Sequence, residues 1–571
     1  MNTDELLAAK VEDVQLETGQ QVFTGTVHLN LQCLIYRYND NEELWIPYPM
    51  IHTVERRPPS LQTGRYPLHI RCRDFVIVTL AMLKDGEAQY VYDYIQKYTC
   101  VDSTEKLLAF RFRPITPYTS TSGWSVYDTA REYSRMGVGE KTGNWRISTL
   151  NRDYKYSPTY PRFLVVPTKI TDATLNYAAK YRSKARIPVL SYLHWSNMAT
   201  ITRSSQPMVG FKQARSIQDE KLIEAIFASN VPVVPSGQTL YGSTAVNMIV
   251  DARPMANAMG NVARGAGTEN MENYRNCKKI YVAIENIHVM RDSLTKMVDA
   301  MQGIDNGGQV NRVALQRSNW LKHISTVLDG ALSIVKSVHV YNSHVLVHCS
   351  DGWDRTAQLV AISEICLDPF YRTFEGFQVL VEKEWVSFGH KFADRSGHLS
   401  NEKCFVNLAH TGGNAATNTI KDMQNKFYKS NYYQRETSPV FHQFLDCLYQ
   451  LMQQFPTRFE FNEAMLIELH YHLYSCQFGN FLFNCEAQRS AHLVQQKTQC
   501  IWDYFNTEKD RFLNDLFDPM KDHDLVDGGG VLFPDTHNTK YWSALFRRKE
   551  DEVNTPIVYG IQDQNDDHPL A

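Results

Sequence analysis

The sequence is short of several things, and each shortage removes a class of protein. No uninterrupted apolar run approaches the roughly 20 residues that a bilayer-spanning helix needs. The start, MNTDELLAAKVEDVQL, has acids where a secretory leader has lysine or arginine, and it lacks a long apolar core. A cytosolic location is therefore expected. There is no CxxC pair, so a structural zinc site is not expected, and the eleven cysteines, an odd number, fit reduced thiols better than a disulfide framework. Basic residues are not in excess: 59 Lys and Arg stand against 62 Asp and Glu, a formal net charge of −3. That balance excludes a bulk polycation built for nucleic acid, so an anionic partner must be met by a local basic site. No period of 20–50 residues recurs, which excludes a solenoid.

What is present is a soluble-type composition over 571 residues, 43% of them hydrophobic and 21% charged. That length predicts about two domains. From about residue 22 to 80 the chain reads as short β segments split by Pro and Gly turns: VFTGTVHLNLQCLIY, alternating around Val27, Leu29 and Leu31, then LWIPYPMIHTVERR and YPLHIRCRDFVIVTL. EAQYVYDYIQKY follows with helical spacing at Val91, Tyr94 and Ile95. Strands closed by one helix predict a small β-barrel or sandwich over residues 1–112. The polar stretch 113–123 reads as a linker. Residues 124–506 alternate short apolar runs with amphipathic helices and predict a large α/β domain, with a polar, Asn- and Thr-rich surface insertion at about 400–436. Residues 507–571 hold a GGG and a charged end, and a loosely ordered tail is expected there.

The chemistry concentrates in VLVHCSDGWDRTAQLVAI, Val345 to Ile362. HVLVH is patterned as a buried strand and RTAQLVAISEICL as a helix. Between them Gly352 permits a tight turn. Backbone N–H groups in such a turn form a concavity for an anion, and the following helix points its positive end at the same place. Arg355 adds a fork matched to phosphate oxygens. A thiol at the rim of that cradle, Cys349, is stabilised as a thiolate and is a nucleophile toward phosphorus. The loop therefore predicts phosphoryl transfer through a cysteinyl-phosphate, chemistry that needs no metal or cofactor. The bland alternative is a strand-to-helix turn with a buried thiol and a capping aspartate. A second CX5R, Cys366 to Arg372, has proline, no glycine and bulky side chains, and is expected to be inert.

HCSDGWDRT resembles the signature loop of the myotubularin family of cysteine-based phosphatases. The likeness extends in family order from about Asn151 to Glu486, through NRDYKYSPTYPRFLVVP, RIPVLSY, SQPMVGF, DARPMANAMGN, ENIHVMRDS, EKEWVSFGHKFADR, SPVFHQFLDC, FPTRFEFNEAML and YSCQFGNFLFNCE. The phrasing is most like the subgroup of myotubularin-related proteins 6, 7 and 8, and the N-terminal segment resembles the family's PH-GRAM domain. The resemblance implies an α/β phosphatase domain behind a PH-like β domain. It implies removal of the 3-phosphate from phosphatidylinositol 3-phosphate and phosphatidylinositol 3,5-bisphosphate, on endosomal or other membranes carrying these lipids. It leaves homo- or hetero-oligomers with other myotubularins open.

By the same resemblance Cys349 is the nucleophile, Arg355 the phosphate-binding cation and Asp354 the acid that protonates the leaving oxygen. The chain has no W-P-D acid loop of the protein tyrosine phosphatase kind, and Asp351 stays as the rival acid. Ser350, Asp351, Gly352 and Trp353 line the loop, and Thr356 is placed to position water. Lys391 and Arg395, four apart, are placed at head-group contacts; without the resemblance they read as a solvated stripe beside Asp394. Asn261 and Asn286 are assigned near the phosphate by resemblance alone, since by itself either reads more often as a turn or a strand-end cap. Asp251 and Arg253 are expected to form a structural ion pair. Arg56, Arg57, Arg71 and Arg73 are either exposed scatter or a lipid-facing set. No sustained heptad follows Glu486. A protein tyrosine or dual-specificity phosphatase and a catalytically weak adaptor remain as alternatives.

Overall fold

A computed structural model of the chain describes residues 9–19, 21–38, 42–229, 246–301, 309–409, 435–523 and 529–555. The N-terminal part is a strongly paired antiparallel array. Its strands are β1 (Ala9–Thr18), β2 (Gln21–Leu29), β3 (Cys33–Tyr38), β4 (Glu43–Pro47), β5 (Ile51–Arg56), β6 (Tyr66–Cys72) and β7 (Ile77–Met82). The array begins earlier than expected: β1 precedes residue 22 and carries Val14 and Leu16 fully buried against the core. Its polar residues hid it, because a strand with one wet face shows only alternate apolar positions. The helix Asp85–Thr99 closes the array, burying Ala88, Val91, Tyr92 and Ile95 among Leu34, Tyr36, Leu68 and Leu80. This is the predicted β domain capped by one helix.

The larger domain holds a short pair, β8 (Trp145–Ser148) with β9 (Leu164–Pro167), and a five-stranded mixed sheet. The sheet is built from β10 (Val189–Leu193), β11 (Thr200–Ser204), β12 (Asn247–Asp251), β13 (Cys277–Tyr281) and β14 (Val345–His348), in the order β10-β11-β14-β12-β13. Central β14 is parallel to both neighbours, with His348 level with Ser204 and Asp251. All four of its residues are buried, which is why VLV reads as a continuous apolar run without alternation. The helix after it, Arg355–Leu367, is buried from Thr356 to Leu367 and shares one core with the helices Trp320–Val335 and Val440–Gln454. Chain segments leaving the carboxyl ends of β11, β12 and β14 meet at one edge, the usual place for a ligand in an open α/β sheet. Among the described residues no helix is long and apolar enough to cross a membrane.

Several expectations need correction. Residues 529–555 are not loose: Val531, Leu532, Trp542, Leu545, Phe546 and Val553 are buried in the phosphatase-domain core. The Trp542 indole N–H donates to Glu463 at 2.7 Å, and the Phe546 ring lies 4.4 Å from Phe75 of the N-terminal domain. The predicted insertion contains β15 (Phe405–Asn407), which adds parallel to β5 and joins the N-terminal sheet. The rest of the insertion, 410–434, lies outside the described residues, as do 524–528 and 556–571 of the expected tail.

The N-terminal arginines are not a free lipid-facing set. Arg56 is 1% exposed and pairs with Asp85, and Arg57 pairs with Glu55. Arg73 donates to the carbonyls of Ser396 and Gly397, tying the two domains together. Arg71 lines a cavity of about 220 Å³ between the domains, with His52 and Tyr474 among its walls. Cys366 and Arg372 are both buried in the core, Arg372 paired with Asp522, as expected of an inert copy. All eleven cysteines are unpaired.

Candidate active site

The loop between β14 and the helix Arg355–Leu367 is held from outside by its carbonyl groups. Ser350 O accepts from the Gln206 N–H at 3.0 Å. Gly352 O accepts from two buried guanidinium groups, Arg186 at 3.0 Å and Arg203 at 2.8 Å. His390 Nδ1 lies 2.9 Å from Trp353 O. A trans peptide points its N–H opposite its C=O. With the carbonyls of 350, 352 and 353 bound to the scaffold, the amides of 351, 353 and 354 are turned toward the loop interior. The anion cradle is thus a consequence of tertiary contacts rather than of loop sequence alone.

Those contacts are themselves anchored by buried charge. Arg203 pairs with Glu384 at 2.6 Å. Burial lowers Arg186 to about 10, so it remains a cation at neutral pH. Below the cysteine, His348 Nε2 lies 3.0 Å from Glu269, whose other oxygen pairs with Arg182 at 2.8 Å; Arg182 also forks onto Asp219. Burial pushes the Glu269 carboxyl up, but His348 and Arg182 outweigh it and hold it well below the usual carboxylate range. Breaking a fully buried pair costs several kcal/mol, so this network fixes the base of the loop.

Cys349 is 3% exposed, and its Sγ accepts from the Gly352 N–H at 3.2 Å. That bond requires the backbone of Gly352 at φ +78°, and a Cβ there would stand 2.4 Å from Ser204 O. Gly352→Ala should therefore lower stability by about 1–3 kcal/mol and weaken tungstate binding to the loop by at least tenfold on the order of magnitude that such strain sets. A variant that binds tungstate as the wild type does would show that the turn tolerates a side chain.

Asp354 and Arg355 face different partners. Arg355 spends Nη1 on Ile284 O at 3.1 Å, leaving its other donors for an anion. Asp354 does not cap the helix with its side chain. It is gripped by Arg395, with Nη2–Oδ2 at 2.9 Å, and by His390, at 3.1 Å. Burial pushes this carboxyl up, yet the Arg395 charge and the His390 contact outweigh burial and hold it well below the usual carboxylate range. Arg395 is 6% exposed and also pairs with Glu436 at 3.0 Å, so it is no solvated stripe. Lys391 precedes the helix Phe392–Ser396, pairs with Asp394 at 3.2 Å and sits 4.9 Å above the Trp353 ring.

The remaining predicted residues divide. Asn261 reaches the loop, with Nδ2 3.4 Å from Ser350 Oγ. Asp351 accepts from Ser183 Oγ at 3.2 Å. Asn286 caps the helix Ile287–Met301 through Oδ1, and sits two residues after the carbonyl that holds Arg355. Thr356 is fully buried, its hydroxyl without a hydrogen-bond partner among the described residues. Asp251 and Arg253 form the expected ion pair at 2.7 Å, and Arg253 also donates to Gln206 and to Gly267 O. Gln206, Arg186, Arg203, His390 and Glu269 were not singled out from sequence. No spacing rule reaches them, because they come to the loop and its base from segments far from it in the chain, around residues 186, 203–206, 269 and 390.

Comparison with known proteins places the chain. The family description "Myotubularin-like phosphatase domain" matches residues 107–490, and "MTMR6-9, GRAM domain" matches residues 10–99. The chain is 38% identical over 554 residues to phosphatidylinositol-3,5-bisphosphate 3-phosphatase MTMR6 of Mus musculus, covering 95% of this chain and 81% of that one. It is 37% identical over 550 residues to phosphatidylinositol-3-phosphate phosphatase MTMR7 of Homo sapiens, covering 95% and 76%. It is 36% identical over 654 residues to phosphoinositide 3-phosphatase of Saccharomyces cerevisiae, covering 96% and 93%. A loop that turns its amides around a buried thiol, and matches of this extent, lead to one conclusion: the chain belongs to the myotubularin-like phosphatases and carries an N-terminal GRAM domain.

Proposed function

We propose that this protein removes the 3-phosphate of phosphatidylinositol 3-phosphate and phosphatidylinositol 3,5-bisphosphate, on endosomal or other membranes that carry these lipids. The observation that carries the chemistry is the Gly352 N–H to Cys349 Sγ contact inside an amide-lined loop, with Arg355 at the helix start. The relatives' names supply the substrate class.

In the first step Cys349 Sγ attacks phosphorus. An S–P bond forms, the P–O bond to the inositol breaks, and Asp354 gives the leaving oxygen its proton. The loop amides and Arg355 hold the charge that spreads over the phosphoryl oxygens. In the second step water attacks the phosphocysteine, Asp354 takes its proton back, and Cys349 leaves as thiolate with release of phosphate. The acid role demands that Asp354 be protonated in the complex, whereas Arg395 holds it ionised in the free protein. A bound phosphate resolves this: its negative charge raises the carboxyl and competes for Arg395. Lys391 and Arg395 then serve the inositol phosphate head.

The test is phosphate release from short-chain phosphatidylinositol 3-phosphate, 3,5-bisphosphate, 4-phosphate and 5-phosphate, beside a phosphotyrosine peptide. Release from the two 3-phosphorylated lipids only is expected. No release from any lipid by folded protein would leave the adaptor alternative, and equal rates on the peptide would leave the tyrosine phosphatase alternative.

A further inference from the structure

The cavity between the two domains lies apart from the phosphate loop: no residue from 349 to 355 lines it. Its volume is about 220 Å³. Distant stretches of chain build its walls. The N-terminal domain supplies His52 and residues from Arg71 to Ile77. The phosphatase domain supplies one face of the helix Ile287–Met301 and the segment 437–439, and the C-terminal stretch adds Phe546 and Arg548.

Two kinds of side chain make up the lining. Phe75, Leu294, Val298, Pro439 and Phe546 are apolar. Leu294 and Val298 are four apart on their helix, and so share a face. Set among them are five arginines, Arg71, Arg73, Arg291, Arg395 and Arg548, against one carboxylate, Asp299. The excess is local, in a chain whose 62 acids outnumber its 59 bases. Arg73 is committed to the carbonyls of Ser396 and Gly397, and Arg395 to Asp354 and Glu436. Arg71 is not tied in this way. Its Nε donates to His69 Nε2 at 3.3 Å, and it makes no ion pair among the described residues. His52 registers the local field: burial, with the charges of Arg73 and Arg71, pushes its imidazole down to about 3.

We propose that this cavity binds a single-chain amphiphilic anion, a carboxylate of the fatty-acid type, with its chain against Leu294, Val298 and Phe546 and its head at Arg71. The surplus of positive charge selects an anion. The apolar walls select against a sugar phosphate, whose hydroxyls would be buried without partners on Phe75, Leu294, Val298 and Phe546. The size selects one short chain, since the volume lies below the roughly 300–1,000 Å³ of sites for drug-sized ligands. A diacyl lipid does not fit. The bound molecule bridges both domains and lies beside Arg395, the residue that holds Asp354.

The full chain tests it, with decanoate below its micelle concentration as the probe and calorimetry as the measure of binding. Wild type should bind decanoate, and should bind decanol and acetate about tenfold or more weakly, because one lacks the charge and the other the chain. Arg71→Gln should weaken decanoate binding by about tenfold and leave decanol binding unchanged. Arg71→Lys keeps the charge and should recover most of the lost affinity. Val298→Trp, which fills the cavity, should weaken decanoate and decanol alike by about tenfold or more. Thermal unfolding of each variant establishes that it is folded, and should Val298→Trp not fold, the two Arg71 variants still decide.

No decanoate binding by wild type would overturn the proposal. Equal decanoate affinity in wild type, Arg71→Gln and Val298→Trp would also overturn it, because the chain would then sit elsewhere on the surface. Decanol binding as tightly as decanoate would overturn the selection of an anion.

Discussion

Cys349→Ser is expected to abolish phosphate release from phosphatidylinositol 3-phosphate, by more than about a thousandfold, or at least about 4 kcal/mol of transition-state stabilisation. The physical cause is the nucleophile's acidity. An alcohol is intrinsically far less acidic and less nucleophilic than a thiol, so serine in the same loop attacks phosphorus much more slowly. Fold and loop should survive, because serine is nearly isosteric and can accept the Gly352 N–H in place of Sγ. The melting temperature is therefore expected to stay within a few degrees of wild type. The comparison is phosphate release against thermal unfolding on the same preparations. A serine variant keeping a tenth of the wild-type rate would remove Cys349 as the nucleophile.

Asp354→Asn should cost about a hundredfold or more on the lipid, whose alkoxide leaving group needs a proton, and less than about tenfold on p-nitrophenyl phosphate, whose leaving group does not. A purely structural role would lower both rates equally. Asp351→Asn is the control: if that variant shows the leaving-group split instead, Asp351 is the acid.

The same Asp354 substitution has a pH signature in stability. The Asp354 carboxyl is held below its ordinary value by Arg395 and His390 in spite of burial. Its contribution to stability is fully present above the unfolded value of about 3.9 and is lost as pH falls through the lower folded value. The melting-temperature gap between wild type and Asp354→Asn should thus be wide at pH 7 and narrow below pH of about 4. A gap independent of pH would mean that Arg395 does not stabilise the ionised carboxylate.

Legibility followed sequence separation. The strand, turn and helix of the phosphate loop lie next to one another, and their patterns were readable: buried VLVH, a glycine where φ is positive, a helix starting at Arg355. Asp354 was readable as an acid candidate, but its state was not, because Arg395 lies 41 positions away. Spacing puts Lys391 and Arg395 on one helical face, and only the resemblance gives them a shared head-group role. The structure separates them, placing one over Trp353 and burying the other on Asp354 and Glu436. The order of the tail is not legible in sequence because its apolar residues are scattered among polar ones without a helical or strand period. They are buried by fitting gaps between helices and both domains.

Sequence by itself determined the order of a β domain before an α/β domain, and the strand, glycine turn and helix that bring Cys349 and Arg355 together, since each depends on residue type and local spacing. Tertiary structure alone decided which way the loop's carbonyls turn, and hence where its amides point. It decided whether Asp354 is ionised before substrate arrives, and which arginines are buried ties between elements rather than exposed charges. Those properties are set by groups far apart in the chain that only the folded core brings within hydrogen-bonding distance, and in a medium poor in water such contacts outweigh local preference.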